Sequence, residues 1–300
     1  MAKKGRLARR QRRKQQKQEE SIKKRRKLDH KGYVGGGQDT SLSSKGPKGL
    51  SIPFDEKEKI ILIGEGDFSY AVSIVEEGYI KPENLIATSF DTLEELKQKY
   101  PEVAEANLKK LNELMVKKVV HGVDGTKLIK TLKLSWNPKK LDRNRNAMNG
   151  LKINLVLFNF PHVGRGIKDM DRNIKANQEM LVSFFTNCKE LFELLAQNRS
   201  QGGEKGNNED LDKIAVTLFD GEPYNSWQIK QLIRNTIGYK VRRSGTFDWK
   251  AYKEYHHRKT AGMHDTTKVA KERAARTYLF EPKRGGKRKR VEMESESESE

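Results

Sequence analysis

Residues 60–64 read IILIG, four apolar residues in a row closed by a glycine. The run is too short for a helix and has no polar position, the mark of a strand covered on both faces. LIATSF (85–90), KVVHGV (118–123), INLVLF (153–158) and IAVTLF (214–219) repeat the pattern. Helices fit between them. Thr92-x-x-Glu95 is a capping box, opening a helix whose apolar face takes Leu93, Leu96, Val103, Leu108 and Leu111, with Pro101 kinking or dividing it. Over 174–195, Ile174, Leu181, Phe184, Phe185, Cys188, Leu191, Phe192 and Leu195 share one helical face. Asn225-Ser226 is placed to cap a helix through 235. Five buried strands separated by helices imply an α/β, doubly wound, mostly parallel sheet. YKVRRSGTF (239–247) and RTYLFEP (276–282) add two strands, for seven in all, with an aromatic and basic insertion between them and no clear crossover helix. The stretches 137–150 and 197–212 are polar and predict loops.

Composition changes this picture mainly at the ends. The chain has 300 residues, 34% of them hydrophobic and 34% charged, with a net charge of +20. Residues 1–50 hold 17 basic and 4 acidic residues, a net of +13, and include KKRRK at 23–27 and the glycine run 35–37. We therefore expect residues 1–54 to form a disordered basic arm, 55–282 the folded domain, and 283–300 a basic then acidic disordered tail. The balance favours a polyanionic partner, nucleic acid above all. No apolar run approaches 18 residues, so no membrane span or membrane partner is expected. KKRRK and KRGGKRKR (283–290) have the composition of nuclear import signals, or equally of solvated RNA-binding arms. The single cysteine, Cys188, lies on an apolar stripe and reads as a buried thiol. Six histidines and one cysteine show no metal-ligand spacing, so no metal is expected.

In doubly wound sheets ligands bind beyond the carboxyl ends of the strands, where strand order reverses. The first strand runs into Gly64-Glu65-Gly66-Asp67-Phe68-Ser69. Two glycines permit a tight turn and close backbone approach, and the next helix N-terminus favours negative charge. The third glycine of a dinucleotide fingerprint is missing. The second strand ends at Asp91, spaced to hold ribose hydroxyls; the competing role is a helix cap, which Thr92 already supplies. The third ends in Gly122-Val123-Asp124, an acid placed to meet a bound adenine.

GEGDFSYA at 64–71, NFPHVG at 159–164 and HHRKTAGM at 256–263, in this order, resemble the Rossmann-like methyltransferases that modify large-subunit ribosomal RNA. The resemblance is to the fungal 25S rRNA uridine-N3 methyltransferase family and covers roughly residues 57–282. It implies a class I methyltransferase fold, S-adenosylmethionine as cofactor, a uridine N3 in the RNA of a pre-ribosomal particle as target, and a nuclear, nucleolar location. It assigns Gly64, Glu65, Gly66, Phe68 and Ser69 to the cofactor loop, Asp91 to the ribose and Asp124 to the adenine.

Amino-methylating enzymes of this fold end the fourth strand in Asn or Asp, Pro-Pro and an aromatic, and Asn159-Phe160-Pro161-His162 resembles a variant of that motif. On this reading Pro161 stiffens the turn, the Asn159 amide and nearby carbonyls meet a base edge, and Phe160 or His162 stacks on the base. Uridine N3 keeps its proton at neutral pH, so something must accept it. His162 is the candidate base, a loop histidine without chemistry the alternative, and His256 and His257 further candidates. In FDWKAYKEYHHRK (247–259), Phe247, Trp249, Tyr252 and Tyr255 offer stacking faces among Lys253, Arg258 and Lys259, which suit phosphates; otherwise these aromatics anchor the insertion to the sheet. Two rival functions stand beside methyl transfer: a noncatalytic RNA-binding assembly protein that keeps the fold, and a NAD-type oxidoreductase.

Overall fold

A computed structural model describes residues 52–134, 152–164, 166–201, 212–258 and 272–283. The arm before residue 52, the predicted loops (apart from their flanks) and most of the terminal tail lie outside these residues. The fold begins slightly earlier than expected, because Phe54 is buried in the core and Ile52 packs against it.

Each predicted strand forms. They are β1 (Ile60–Ile63), β2 (Leu85–Thr88), β3 (Lys118–Val120), β4 (Leu155–Asn159), β5 (Lys213–Phe219), β6 (Tyr239–Thr246) and β7 (Ala275–Pro282). They make one sheet in the order β3-β2-β1-β4-β5-β7-β6. β1 to β5 pair in parallel, and β7 slots antiparallel between β5 and β6. An antiparallel partner needs no crossover helix. Strand alternation sends Ile60, Leu62, Leu155 and Leu157 into one core and Ile61, Ile63 and Val156 into the other, so both faces are dry. β3, at the edge, is only half-buried.

The helices are α1 (Ser69–Glu76), α2 (Leu93–Lys99), α3 (Val103–Glu113), α4 (Leu128–Thr131), α5 (Met170–Gln201) and α6 (Ile229–Ile237). α1 to α3 cover the first face; α4, α5 and α6 cover the second. The capping box at Thr92 is reciprocal: Glu95 N–H donates to Thr92 Oγ1 (3.2 Å) and Thr92 N–H to Glu95 Oε2 (2.9 Å). Pro101 divides the helix outright, since the residue before a proline is pushed out of helical conformation. Leu93 and Val103, expected in the apolar face, are exposed at the first residues of α2 and α3. The expected Asn225-Ser226 cap does not form. Asn225–Trp227 is a short 3₁₀ turn, Ser226 Oγ donates to Glu222, and α6 starts after Gln228 in a left-handed conformation. Cys188 is buried and free. Among the described residues no helix is long and apolar enough to cross a membrane.

Candidate active site

The carboxyl ends of β1, β2 and β4 open on a cavity of about 570 Å³ at the point where strand order reverses. Gly64 forms its floor with φ of +70°. A Cβ there would sit 2.8 Å from the Phe158 ring on β4, so only glycine lets the loop cross the strand end. Glu65 N–H then donates to Thr88 O of β2 (2.8 Å), fixing the turn. The Glu65 carboxyl is buried at the cavity wall, where Oε2 accepts a bond from Ala71 N–H (3.2 Å). Burial pushes its pKa up to about 8; the Ala71 bond works against the rise, and the neighbouring Asp67 adds to it.

Asp67 is the hub of the loop. It accepts bonds from Ser69 N–H (3.0 Å) and Ser69 Oγ (2.6 Å) and pairs with Arg258 Nε (2.8 Å). Two loop residues expected at the cofactor do not line the cavity. Phe68 takes a left-handed conformation (φ 63°) that turns its ring into the core, edge-on to His121, and Ser69 is committed to Asp67 and to His256 N–H. Gly64, Glu65 and Gly66 do line it.

Both strand-end acids reach the cavity. Asp91 is not free, however, because Lys99 from α2 pairs with it at 2.5 Å, and both residues line the wall. Beside them Phe90 is 66% exposed, a large bare ring on the cavity rim that the apolar pattern of β2 had assigned to the strand. Asp124 lines the wall while accepting from Thr126 N–H (2.8 Å) and Oγ1 (2.7 Å), so it also caps the turn before α4.

Opposite stands the NFPH turn. Asn159 Oδ1 accepts from Thr217 Oγ1 (2.7 Å), which contacts Thr277 Oγ1 (2.9 Å), a polar chain across β4, β5 and β7. Its Nδ2 is buried with no hydrogen-bond partner among the described residues, so the expected base-edge contact of the amide requires this side chain to turn. Phe160, at φ 51°, sits in an aromatic cluster with Phe219 (4.4 Å between ring centres) and Trp249 (5.5 Å, 10° between planes), which are themselves 6.4 Å apart. These contacts tie its ring to the 247–258 segment, while the residue also lines the cavity. Pro161 is buried. His162 Nδ1 accepts from Gly164 N–H (2.9 Å), and burial lowers its pKa. A neutral ring in that geometry carries its proton on Nε2 and is a donor, so service as a base would require a tautomer switch and loss of the Gly164 bond. Asn177 of α5 holds the turn by accepting from Val163 N–H (3.0 Å). The sequence signal for Asn177 was available: a polar residue between Ile174 and Leu181 on an apolar stripe.

Segment 247–258 anchors rather than reaches out. Phe247 and Tyr252 are buried, and Tyr252 packs on Tyr70 of α1 (4.9 Å). Arg258, expected at a phosphate, is buried against Asp67, and exposed Lys253 pairs with Glu77 (2.9 Å). His256 and His257 line the cavity; His257, whose Nδ1 faces the Tyr255 hydroxyl (3.1 Å), is pushed down to about 4 by burial and by Arg273. Lys259 lies outside the described residues.

A carboxylate at a strand end, an exposed aromatic ring beside it and a glycine turn under a cavity of this volume suit a nucleoside-type ligand. Residues 61–259 match the family model described as BMT5-like, rRNA (uridine-N3-)-methyltransferase. The chain is 42% identical over 254 residues to the Saccharomyces cerevisiae 25S rRNA (uridine(2634)-N(3))-methyltransferase, covering 78% of this chain and 75% of the yeast protein. It is 24% identical over 230 residues to an uncharacterized Arabidopsis thaliana protein, covering 76% and 94%. A mouse ferredoxin-fold anticodon-binding domain-containing protein 1 homolog is 30% identical over 176 residues, covering 57% of this chain and 23% of its own.

Proposed function

The chain belongs to the BMT5-like rRNA (uridine-N3-)-methyltransferase family, and on that premise we propose that the cavity at the ends of β1, β2 and β4 binds S-adenosylmethionine and presents it to a uridine held by the NFPH turn. The protein is an rRNA (uridine-N3) methyltransferase. The observation that carries the residue roles is the meeting of the glycine turn, the strand-end acid Asp91 and the NFPH turn around one cavity.

When bound, the cofactor supplies an electrophilic methyl group on a sulfonium. Gly64 and Gly66 let the backbone approach it, Asp91 accepts its ribose hydroxyls, and the bare Phe90 ring offers the adenine a stacking face. Pro161 fixes the turn on which the target base rests. As the N3 proton passes to solvent hydroxide, negative charge spreads onto the two flanking uracil carbonyls. His162, neutral and holding its proton on Nε2, donates to one of them and stabilises that charge. The basic clusters of residues 1–54 and 283–290 give nuclear and nucleolar address and nonspecific affinity for the RNA of a pre-ribosomal particle.

Equilibrium binding of radiolabelled S-adenosylmethionine tests the cofactor assignment. Saturable binding that weakens in Asp91→Asn supports it; absence of binding by the folded protein refutes it.

A further inference from the structure

Among the described residues, five carboxyl side chains line the cavity: Glu65, Asp67, Asp91, Asp124 and Glu179. Four already have a cation. Asp67 has Arg258 at 2.8 Å, Asp91 has Lys99 at 2.5 Å, Asp124 has Lys127 at 3.7 Å, and exposed Glu179 has Lys175 at 4.0 Å. Glu65 has none among the described residues, although it is only 8% exposed. The groups facing it do not help. Asp67, on the same loop, is of like charge, and Arg258 is spent on Asp67. Tyr70 of α1 and Tyr255 of the 247–258 segment are neutral hydroxyls held protonated by burial. The single hydrogen bond described for the carboxyl comes from a backbone amide, Ala71 N–H at 3.2 Å. A buried carboxylate with no partner is costly, so a site built this way stays neutral until a cation arrives.

We infer that Glu65 supplies the counter-charge for a cationic group of the methyl donor, so that loading the site is coupled to release of one proton from the protein. The inference rests on the cofactor assignment above. Two cationic groups share the required chemistry. The sulfonium is present in the donor and lost in the demethylated product, whereas the amino-acid ammonium is present in both. If Glu65 faces the sulfonium, methyl transfer removes its counter-ion, the carboxyl takes a proton back, and product release is favoured. The coupling also sets a pH dependence. With its pKa near 8, the empty site at pH 7 is about nine-tenths protonated, and donor affinity should climb about tenfold per pH unit up to pH 8 and then level off.

The test is calorimetric titration of the full chain with S-adenosylmethionine in two pH 7 buffers of different ionisation enthalpy, which counts protons exchanged on binding. About 0.9 proton should be released per donor bound, from the nine-tenths of sites still protonated. Glu65→Gln should bind more weakly, release none and lose the pH dependence of affinity. Titration with S-adenosylhomocysteine separates the sources: equal release identifies the ammonium and much smaller release the sulfonium, and either supports the inference. Donor binding with no proton release in the unaltered protein, or unchanged release in Glu65→Gln, overturns the inference and leaves the cofactor assignment standing. No donor binding at all refutes the assignment itself, and the inference with it.

Discussion

Arg258 separates two accounts of the segment before β7. In the structure its guanidinium is buried against Asp67, with side-chain exposures of 7% and 4% and a contact of 2.8 Å. Arg258→Met removes the cation and strands a buried carboxylate, a change that typically costs about 3–5 kcal/mol. Asp67 keeps its two bonds from Ser69, which puts the expected cost at the lower end, about 3 kcal/mol. For a domain of this size each kcal/mol moves Tm by roughly 2–4 °C, so thermal unfolding should shift down by about 6–12 °C. Asp67→Asn combined with Arg258→Met leaves no stranded charge and should recover most of the loss. The salt dependence of RNA affinity should keep its slope, because a guanidinium inside the protein neutralises no phosphate. An Arg258→Met protein with unaltered Tm and a slope of log affinity against log salt flatter by about one unit would refute the clamp and restore the arginine to the RNA.

Gly64→Ala forces a side chain into left-handed backbone 2.8 Å from Phe158; stability measured by denaturant unfolding should fall by about 1–3 kcal/mol, with cofactor binding lost. Asp91→Asn should weaken cofactor affinity by about 1.5–3 kcal/mol, read by equilibrium binding, with Tm little changed because the released Lys99 sits at a partly solvated rim. Glu65 has a folded pKa of about 8 against an ordinary value of 4.5, so its contribution to stability is complete below pH 4.5 and is lost as pH rises toward 8. Cofactor-free protein should therefore lose Tm over that window, and Glu65→Gln should flatten the loss. His162→Ala should cut the single-turnover rate about 10- to 100-fold by removing a charge-stabilising donor, while leaving the rise of rate with pH intact. Disappearance, in that variant, of an inflection below the ordinary histidine range would show His162 to be a base after all.

The central strands were legible because both their faces are covered, which writes β1 as the apolar run Ile60–Ile63 and β5 as a nearly continuous one from Ile214. Thr92 and Pro101 were equally plain, since capping and helix breaking are local effects. What escaped was set by distance along the chain. Asp67 and Arg258 are 191 positions apart, and nothing local distinguishes an arginine aimed at phosphate from one aimed at a buried carboxylate. Phe247, Trp249 and Tyr252 were ambiguous for a related reason, because stacking on a base and anchoring an insertion call for the same large flat side chains. Phe68 was misplaced because a non-glycine residue in left-handed conformation is not announced by its type. The protonation of His162 depends on a backbone amide two residues away, a contact that exists only once the turn has formed.

Methyl transfer to uridine N3 is tested by incubating the purified protein with unmodified large-subunit ribosomal RNA and S-adenosylmethionine bearing a deuterated methyl group, then analysing the nucleosides by mass spectrometry. Deuterated N3-methyluridine should form with the unaltered chain and be abolished by Gly64→Ala. Deuterium on any other base atom, or no labelled nucleoside from protein that binds the cofactor, would contradict the assignment.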